Sequence, residues 1–287
     1  MITMIGFVNV NKPSGMSSSK VVSILKKTYN TPKIGHMGTL DPLAQGVLPV
    51  AIGKATRMFD YFLEKHKTYI AEFTFGATTD TLDSEGQITK TTTHIPTKQD
   101  ILNILDKLMG KIDQIPPQFS AKKVNGRCAY DLARSGQQVD LKPKQIEIFA
   151  IKLLDNSDNK FRFEIECSGG TYIRSIARDM AELVNSKAYM SSLIRIKSGK
   201  FAIDKSFTLE QLKDMPLSTS LVSIEEIFDF PICELSKTET KDLLDGKNIK
   251  VAKNNGQYFI KCDKILIGVG DINNSILKLK TYLKEDL

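Results

Sequence analysis

Strand-like and helix-like segments follow one another irregularly along this chain, and that irregularity restricts the fold more than any other feature. Residues 69–75 and 161–167 alternate apolar and polar side chains, as half-buried strands do. Residues 171–184 repeat apolar side chains at the spacing of one helix face. No regular β–α–β order connects these segments, which disfavours a doubly wound parallel sheet. The pattern predicts an α/β protein of the α+β type, with a mixed, largely antiparallel sheet and flanking helices.

A second, smaller domain is predicted at the C-terminal end, because the 287 residues exceed the length of one typical domain. We place the boundary near Pro231, since a helix-capping box and two strand-like runs, 264–269 and 276–283, follow it. A large domain is therefore predicted over residues 1–230 and a small β-rich domain over 231–287. So short a segment has little stability alone, so it should pack on the large domain.

The sequence predicts neither a metal site nor a cofactor. Its four cysteines and three histidines are scattered, without the close pairs that zinc sites and disulfide frameworks use. Residues 46–55 resemble a phosphate-binding loop, but six residues separate the two glycines and Ala55 lacks the hydroxyl that would reach magnesium. We expect reduced cysteines and no bound nucleotide cofactor.

We also expect a soluble, cytoplasmic protein. The longest stretch without strongly polar side chains, residues 46–53, is far shorter than the roughly twenty apolar residues of a membrane helix. The N-terminal residues have no basic segment before their short apolar run, so a secretory signal is not expected.

The charge distribution favours a polyanionic partner. Lys and Arg number 40 against 33 Asp and Glu, which gives a net charge of +7. The excess is concentrated in residues 111–144 and 186–205. Each cation that meets a phosphate releases counterions, so such segments suit nucleic acid. A basic surface that is simply solvated is the alternative.

A glycine-rich stretch, residues 35–46, is the first candidate for a reactive site. Its three glycines permit close approaches that side chains would prevent. His36 and Asp41 are five residues apart and could face one cleft. The alternative is structural, because Asp41 followed by Pro42 is also a good start for a helix.

Two further side chains each allow two interpretations. Arg174 falls in the first turn of the predicted 171–184 helix, where the helix dipole disfavours a cation by about 0.3–1 kcal/mol. It is either answered by a carboxylate or phosphate, or it holds its charge in water. Tyr69 begins an alternating aromatic strand, so it is either a stacking platform or part of the core.

Six motifs, in order over about two hundred residues, together resemble the tRNA pseudouridine synthase B (TruB) family. They are KPSGMSS (12–18), GHMGTLDPLA (35–44), KTY (67–69), TDT with Asp83 and Gly86 (79–86), IPP with FSA (115–121) and CSGGTYIR (167–174). Met37 stands where the bacterial family more often has threonine.

The resemblance implies a pseudouridine synthase fold and an enzyme that isomerises one uridine to pseudouridine, at position 55 in the T-loop of tRNA. On that similarity Asp41 is the nucleophile that helps detach uracil and reattach it through carbon. Tyr69 would stack on the flipped base and assist removal of its C5 proton, and Arg174 would pair with the Asp41 carboxylate.

The same resemblance implies five residues that bind the substrate. His36 would help open the T-loop and fill the place of the extruded base. Tyr172 and Leu193 would line the nucleotide pocket, and Lys12 with Pro13 would pack beneath it.

The remaining implications concern domains and partners. Residues 111–144 would form an insertion that closes over the RNA, and residues 231–287 would form a small PUA-like domain. A plain stabilising appendage is the alternative for that domain. The T-arm of tRNA is the expected partner, with no metal, membrane or obligatory protein partner. Two other functions stay open: a non-catalytic RNA-binding or RNA-folding protein, and a pseudouridine synthase that depends on a guide RNA.

Overall fold

The computed structural model describes residues 4–63, 65–120, 123–124, 127–134 and 139–284. The strands of the first part are β1 (Gly6–Lys12), β2 (Ile34–His36), β3 (Gln45–Ile52), β4 (Lys67–Phe75), β5 (Ala77–Thr79), β6 (Ile88–Thr91), β7 (Gly110–Gln114), β8 (Lys123–Val124), β9 (Arg127–Cys128), β10 (Lys144–Ser157), β11 (Lys160–Cys167), β12 (Ala188–Ser198), β13 (Phe201–Ala202) and β14 (Leu221–Val222). Those of the last part are β15 (Ile232–Glu234), β16 (Ile249–Lys250), β17 (Gly256–Cys262), β18 (Ile265–Asn273) and β19 (Ile276–Tyr282).

The helices surround these strands and are mostly short. They are α1 (Ser18–Thr28), α2 (Phe59–Leu63), α3 (Lys98–Leu102), α4 (Ala129–Arg134), α5 (Ile173–Leu183), α6 (Leu209–Asp214), α7 (Leu217–Ser220), α8 (Ile224–Ile227) and α9 (Lys237–Leu244), with 3-10 turns at Gly53–Met58, Leu105–Leu108 and Ile203–Lys205. None of the described helices has the length and apolar character needed to cross a membrane.

Ten of the described strands form one large sheet. Their hydrogen-bonded order is β14-β1-β3-β12-β4-β11-β10-β7, with β2 beside β3 and β13 beside β12. All these pairs are antiparallel except β3 with β12, which run parallel where Gln45 and Gly46 meet Ile194 and Arg195. The predicted fold class, a mixed and largely antiparallel sheet with flanking helices, is confirmed.

The alternating segments of the sequence form adjacent strands of this sheet. β4 and β11 pair over their full length and bury the same face. Phe73 lies 5.2 Å from Phe163, and Phe75 lies 5.2 Å from Phe161, between ring centroids. α5 covers that face with its apolar stripe, and its first turn therefore lies close to the ends of β4 and β11.

The C-terminal residues form a separate five-stranded sheet in the order β15-β17-β18-β19-β16. α9 begins at Ser236, whose side chain makes the predicted capping box with Glu239. This small β-rich sheet shares a core with the large sheet, to which the two parts contribute Phe7, Phe62 and Phe228 on one side and Phe259, Val269 and Leu283 on the other. The two sheets therefore pack on each other directly.

Candidate active site

Asp41 lies within residues 38–44, the larger part of the loop that connects β2 to β3, and we call this stretch the 38–44 loop. No helix begins there: residues 41–44 form a bend, closed by the Ala44 amide, which donates to the Asp41 carbonyl at 3.1 Å. The alternative that Asp41 caps a helix is therefore wrong. β3 starts at Gln45, so Asp41 lies a few residues before the first residue of a strand in the large sheet.

Lys12 supports the 38–44 loop from below. Its side chain is fully buried, and its ammonium donates to the carbonyls of Pro13, Met16 and, at 3.2 Å, Pro42. Burial lowers the pKa of Lys12 to about 8, against the attraction of the Asp41 carboxylate. Pro13 itself is exposed.

Two serines that sequence reasoning did not single out complete this support. Ser18 Oγ donates to the Leu40 carbonyl and accepts from the Leu40 amide, both at 2.9 Å. Ser14 Oγ donates to the Leu43 carbonyl at 2.7 Å. The backbone on both sides of Asp41 is thus tied to the segment that follows β1, which leaves little freedom for the carboxylate to move.

The Asp41 carboxylate meets the guanidinium of Arg174. Arg174 Nε lies 2.9 Å from Asp41 Oδ2, and Nη1 lies 3.3 Å from Asp83 Oδ2. The same guanidinium donates to the carbonyls of Thr81 and Phe119 at 3.0 and 3.1 Å. The first-turn arginine is therefore answered by two carboxylates, and it does not hold its charge in water. Asp83 was not recognised as part of the site from the sequence.

Opposing influences act on the pKa of Asp41. Burial raises it, the Arg174 guanidinium lowers it, and the nearby Asp83 carboxylate raises it again; the net shift is upward. The side chain keeps 31% of its surface exposed, against 6% for Arg174. The carboxylate is thus open on one side and paired on the other, as an attacking group must be.

Tyr69 and Leu193 lie on the adjacent strands β4 and β12. Tyr69 is 7% exposed and faces Arg195 across the strand pair, while Leu193 is 6% exposed. Burial raises the pKa of the Tyr69 hydroxyl, and the Arg195 guanidinium opposes that rise. Both side chains belong to the main hydrophobic core. Tyr69 is also close enough to Asp41 to be influenced by its charge, so this tyrosine can be part of the core and of the site at once.

Tyr172 lies near the charges of Arg174 and Asp41, and His36 lies near that of Arg195. Tyr172 precedes α5, is half-buried, and exchanges two hydrogen bonds with Gln114 through its backbone. Burial raises the pKa of its hydroxyl. His36 ends β2; burial lowers the pKa of its ring, with a further contribution from Arg195, and its Nδ1 has no partner within the described residues.

Arg195 is the other residue that the sequence did not reveal. It lies in the basic segment 186–205, which suggested a phosphate contact, but only 2% of its surface is exposed. The alternation that places Arg195 on the same strand face as Leu193 was the available signal. The described residues contain no cluster of His, Cys, Asp and Glu that could hold a metal ion.

The segment that enters the 111–144 insertion is anchored on α5. Ser175 Oγ and Arg178 Nη2 both donate to the Ile115 carbonyl, at 2.9 and 3.0 Å. Residues 121–122, 125–126 and 135–138 lie outside the described residues, so the predicted contact of the insertion with RNA stays a prediction.

Comparison with known sequences finds relatives that match most of the chain. The sequence model of the TruB family pseudouridylate synthase N-terminal domain matches residues 26–173. The chain is similar to tRNA pseudouridine synthase B of Clostridioides difficile strain 630, at 42% identity over 86% of this chain and 86% of the relative. It is also similar to tRNA pseudouridine synthase B of Caldanaerobacter subterraneus subsp. tengcongensis, at 37% identity over 92% of this chain and 94% of the relative.

Solved structures with the same fold come from a different kind of assembly. A Cbf5-Nop10-Gar1 complex contains a chain that matches with a TM-score of 0.74 at 23% identity, over 96% of this chain and 84% of that one. The archaeal box H/ACA sRNP Nop10-Cbf5 complex gives 0.71 at 21% identity, over 96% and 85%. At this identity the similarity concerns the fold alone, including the small PUA-like sheet.

Proposed function

Because this chain belongs to the TruB family of pseudouridylate synthases, we propose that it isomerises uridine to pseudouridine in tRNA, at position 55 of the T-loop. The single observation that carries the assignment of the site is the Asp41 carboxylate. It is paired with Arg174 at 2.9 Å, open on its other side, and set in a loop with a fixed backbone.

The reaction needs a nucleophile and no external reactant. The bond between N1 of uracil and the ribose breaks, the base turns, and its C5 bonds to the ribose. C5 loses a proton and N1 gains one, so the atoms balance. Asp41 in its ionised form supplies the attacking group, and Arg174 favours that form. Tyr69 lies close enough to Asp41 for the two charges to influence each other, and it can assist removal of the C5 proton.

The target base must leave the folded T-loop before Asp41 can reach its sugar. Extrusion costs a few kcal/mol, and stacking on an aromatic ring returns about 1–3 kcal/mol. Tyr69 supplies that ring, and Tyr172 and Leu193 line the pocket beside it. His36, whose Nδ1 has no partner in the described structure, would fill the place of the extruded base. Lys12, with Pro13, holds the floor of the pocket.

The relatives favour a stand-alone enzyme over a guide-dependent one. Relatives named tRNA pseudouridine synthase B match 92–98% of this chain at 37% identity, whereas the Cbf5 chains of solved complexes share only 21–23%. We therefore propose that tRNA is recognised by this chain alone, without a guide RNA or an obligatory protein partner. The 111–144 insertion and the PUA-like residues 231–287 would extend the RNA contact of the catalytic residues 1–230.

One experiment tests the activity and the nucleophile together. The purified chain is incubated with an unmodified tRNA transcript and with one that carries cytidine at position 55, and pseudouridine is mapped by mass spectrometry. We expect conversion at position 55 of the first transcript alone. Asp41→Asn keeps the shape of the side chain but removes the attacking charge, so conversion should vanish while tRNA affinity persists.

Asp155→Asn is the matched control, because it makes the same change at an exposed carboxylate that only pairs with Arg162 on the surface. It should convert uridine like the parent. Near-normal conversion by Asp41→Asn would refute the mechanism, and conversion at another uridine would refute the position. A parent chain that binds tRNA without converting it would support the non-catalytic alternative.

A further inference from the structure

Arg195 is a buried cation for which the proposed reaction has so far no use. Its Nε donates to the Val47 carbonyl at 2.7 Å, Nη2 donates to the Gly38 carbonyl at 3.2 Å, and Nη1 lies 3.5 Å from the Thr39 carbonyl. In the described part of the chain no carboxylate forms an ion pair with it. Its charge is thus answered by backbone carbonyls.

Burying a guanidinium in this position lowers the stability of the fold, so we ask what function it serves. Removing an ion from water costs several kcal/mol, and carbonyl oxygens compensate for part of that loss. An apolar side chain of similar volume would fill the space at lower cost. The three carbonyls that Arg195 binds all belong to the 38–44 loop or to β3, which the loop enters. The cation therefore connects β12 to the stretch that carries Asp41.

The position of Arg195 complements that of Arg174. Arg174 holds the Asp41 carboxylate itself, whereas Arg195 holds the backbone two and three residues before it. On the other side Arg195 faces Tyr69, its register partner on β4. Arg195 thus contacts the nucleophile loop and also faces the tyrosine.

We propose that Arg195 is a positioning residue for the isomerisation, which fixes the Asp41 loop and the Tyr69 ring relative to each other. The proposal rests on the proposed function. This positioning role differs in one respect from a role in which Arg195 only stabilises the fold. A structural tie needs any cation or well-packed side chain there, whereas positioning needs the planar fork that bridges Val47 and residues 38–39 at once.

Arg195→Lys separates these two roles. Lysine keeps the long stem and the charge, so the melting temperature should stay close to that of the parent. Its compact ammonium cannot reach both groups of carbonyls, so the loop and the tyrosine lose their common support. We expect the single-turnover rate at saturating tRNA to fall about a hundredfold, with tRNA affinity within about threefold of the parent. Arg195→Met should be as slow and melt at a lower temperature.

Lys54→Met is the matched control, because Lys54 is also a buried cation that donates to a carbonyl, that of Lys284. It should lower the melting temperature and leave the single-turnover rate unchanged. A second measurement, which does not depend on activity, is hydrogen exchange at the Leu40 amide. In the parent this amide donates a hydrogen bond to Ser18 Oγ. Exchange should accelerate in both Arg195 variants and not in Lys54→Met.

An Arg195→Lys variant with the rate and the Leu40 protection of the parent would overturn the proposal. So would Arg195→Met if its rate fell only as far as that of Lys54→Met. An inactive parent chain would refute the proposed function instead, and the Leu40 exchange would still decide whether Arg195 fixes the loop.

Discussion

At Asp41, burial and pairing act against each other. The proposed mechanism needs Asp41 in its ionised form, yet the surroundings of this carboxylate raise its pKa above the ordinary value of 3.8. Arg174 limits that rise, and Asp83 reinforces it. The acid must therefore lose its proton at a higher pH than an exposed aspartate does, and the balance depends on one guanidinium.

A pH profile should show this balance directly. Since the proposed mechanism uses the ionised form of Asp41, the single-turnover rate should fall as the pH drops through the raised pKa of Asp41, above the range of an ordinary aspartate. Arg174→Gln removes the main opposing influence, so its acidic limb should move to still higher pH and its maximal rate should fall. Rates measured between about pH 4 and 8 test this, with Arg162→Gln as the exposed control. An acidic limb that Arg174→Gln leaves in place would contradict it.

Some residues of this site could be predicted from the sequence, and others could not. For Arg174, the helix-dipole argument raised the interpretation that an anion faces the guanidinium, but it left exposure to water as the alternative, and the pairing with Asp41 came from the family resemblance. Asp83 and Arg195 could not be found in this way. Both look like surface charges, and their burial follows from contacts between segments far apart in the chain. The resemblance contributed the roles of the remaining residues, which stay proposals.

Among the elements, the parallel contact of β3 with β12 brings Arg195 to the 38–44 loop. Gly46 makes that contact possible. Its φ is +104°, and a Cβ there would lie 2.3 Å from the backbone oxygen of Arg195. Any other residue would be strained and would also push the two strands apart.

Gly46→Ala should therefore cost much more than alanine at another glycine of positive φ. Backbone strain of about 1–2 kcal/mol and a forced shift of about 1–3 kcal/mol add up to about 2–5 kcal/mol of unfolding free energy. Gly246→Ala is the control, because Gly246 also has positive φ, +83°, but no neighbour within 4 Å of the added carbon. It should cost about 1–2 kcal/mol. Urea unfolding measures both, and equal costs would contradict the close strand contact.

Elements with strong local patterns were predictable, and those that depend on distant partners were not. β4, β11 and α5 follow from alternation and helical spacing, which are local properties. Asp41 and Pro42 look like a helix start, and the structure has a bend there. The reason is that Lys12 and Ser18 bind the loop backbone from a segment that lies 22 to 30 residues earlier in the chain.

For the whole molecule, the shared core between the two sheets matters most. Phe228 lies at its centre, with Phe62 at 5.2 Å and Phe230 at 5.4 Å between ring centroids. The end of β19 is also bonded to the large domain, since Arg57 Nη1 donates to the Tyr282 carbonyl at 2.8 Å. The C-terminal residues therefore stabilise the large domain, independently of the proposed contact with RNA.

We expect the full chain to unfold in one transition, with a calorimetric enthalpy equal to the van't Hoff enthalpy. A chain ending at residue 230 should melt at a lower temperature and bind apolar dyes, because Phe7, Phe62 and Phe228 lose their cover. Phe228→Ala in the full chain should cost about 3–5 kcal/mol. Two separate transitions, or a truncated chain as stable as the parent, would show that the sheets fold independently.

The parallel contact of β3 with β12 also has a consequence during synthesis, because the 38–44 loop is made long before the strand that contacts it. At about 5–20 residues per second, the roughly 150 residues between Asp41 and Arg195 take about 8–30 s to synthesise. For most of that interval the nascent chain carries Asp41 without Arg174, and for all of it the chain lacks Arg195. A translation product interrupted before β12 would contain Asp41 and Arg174 but no side chain at position 195 to bind the carbonyls of Gly38 and Val47. If Arg195 positions the loop as proposed, such a product should convert uridine poorly, and activity should appear only after the late strand has been synthesised.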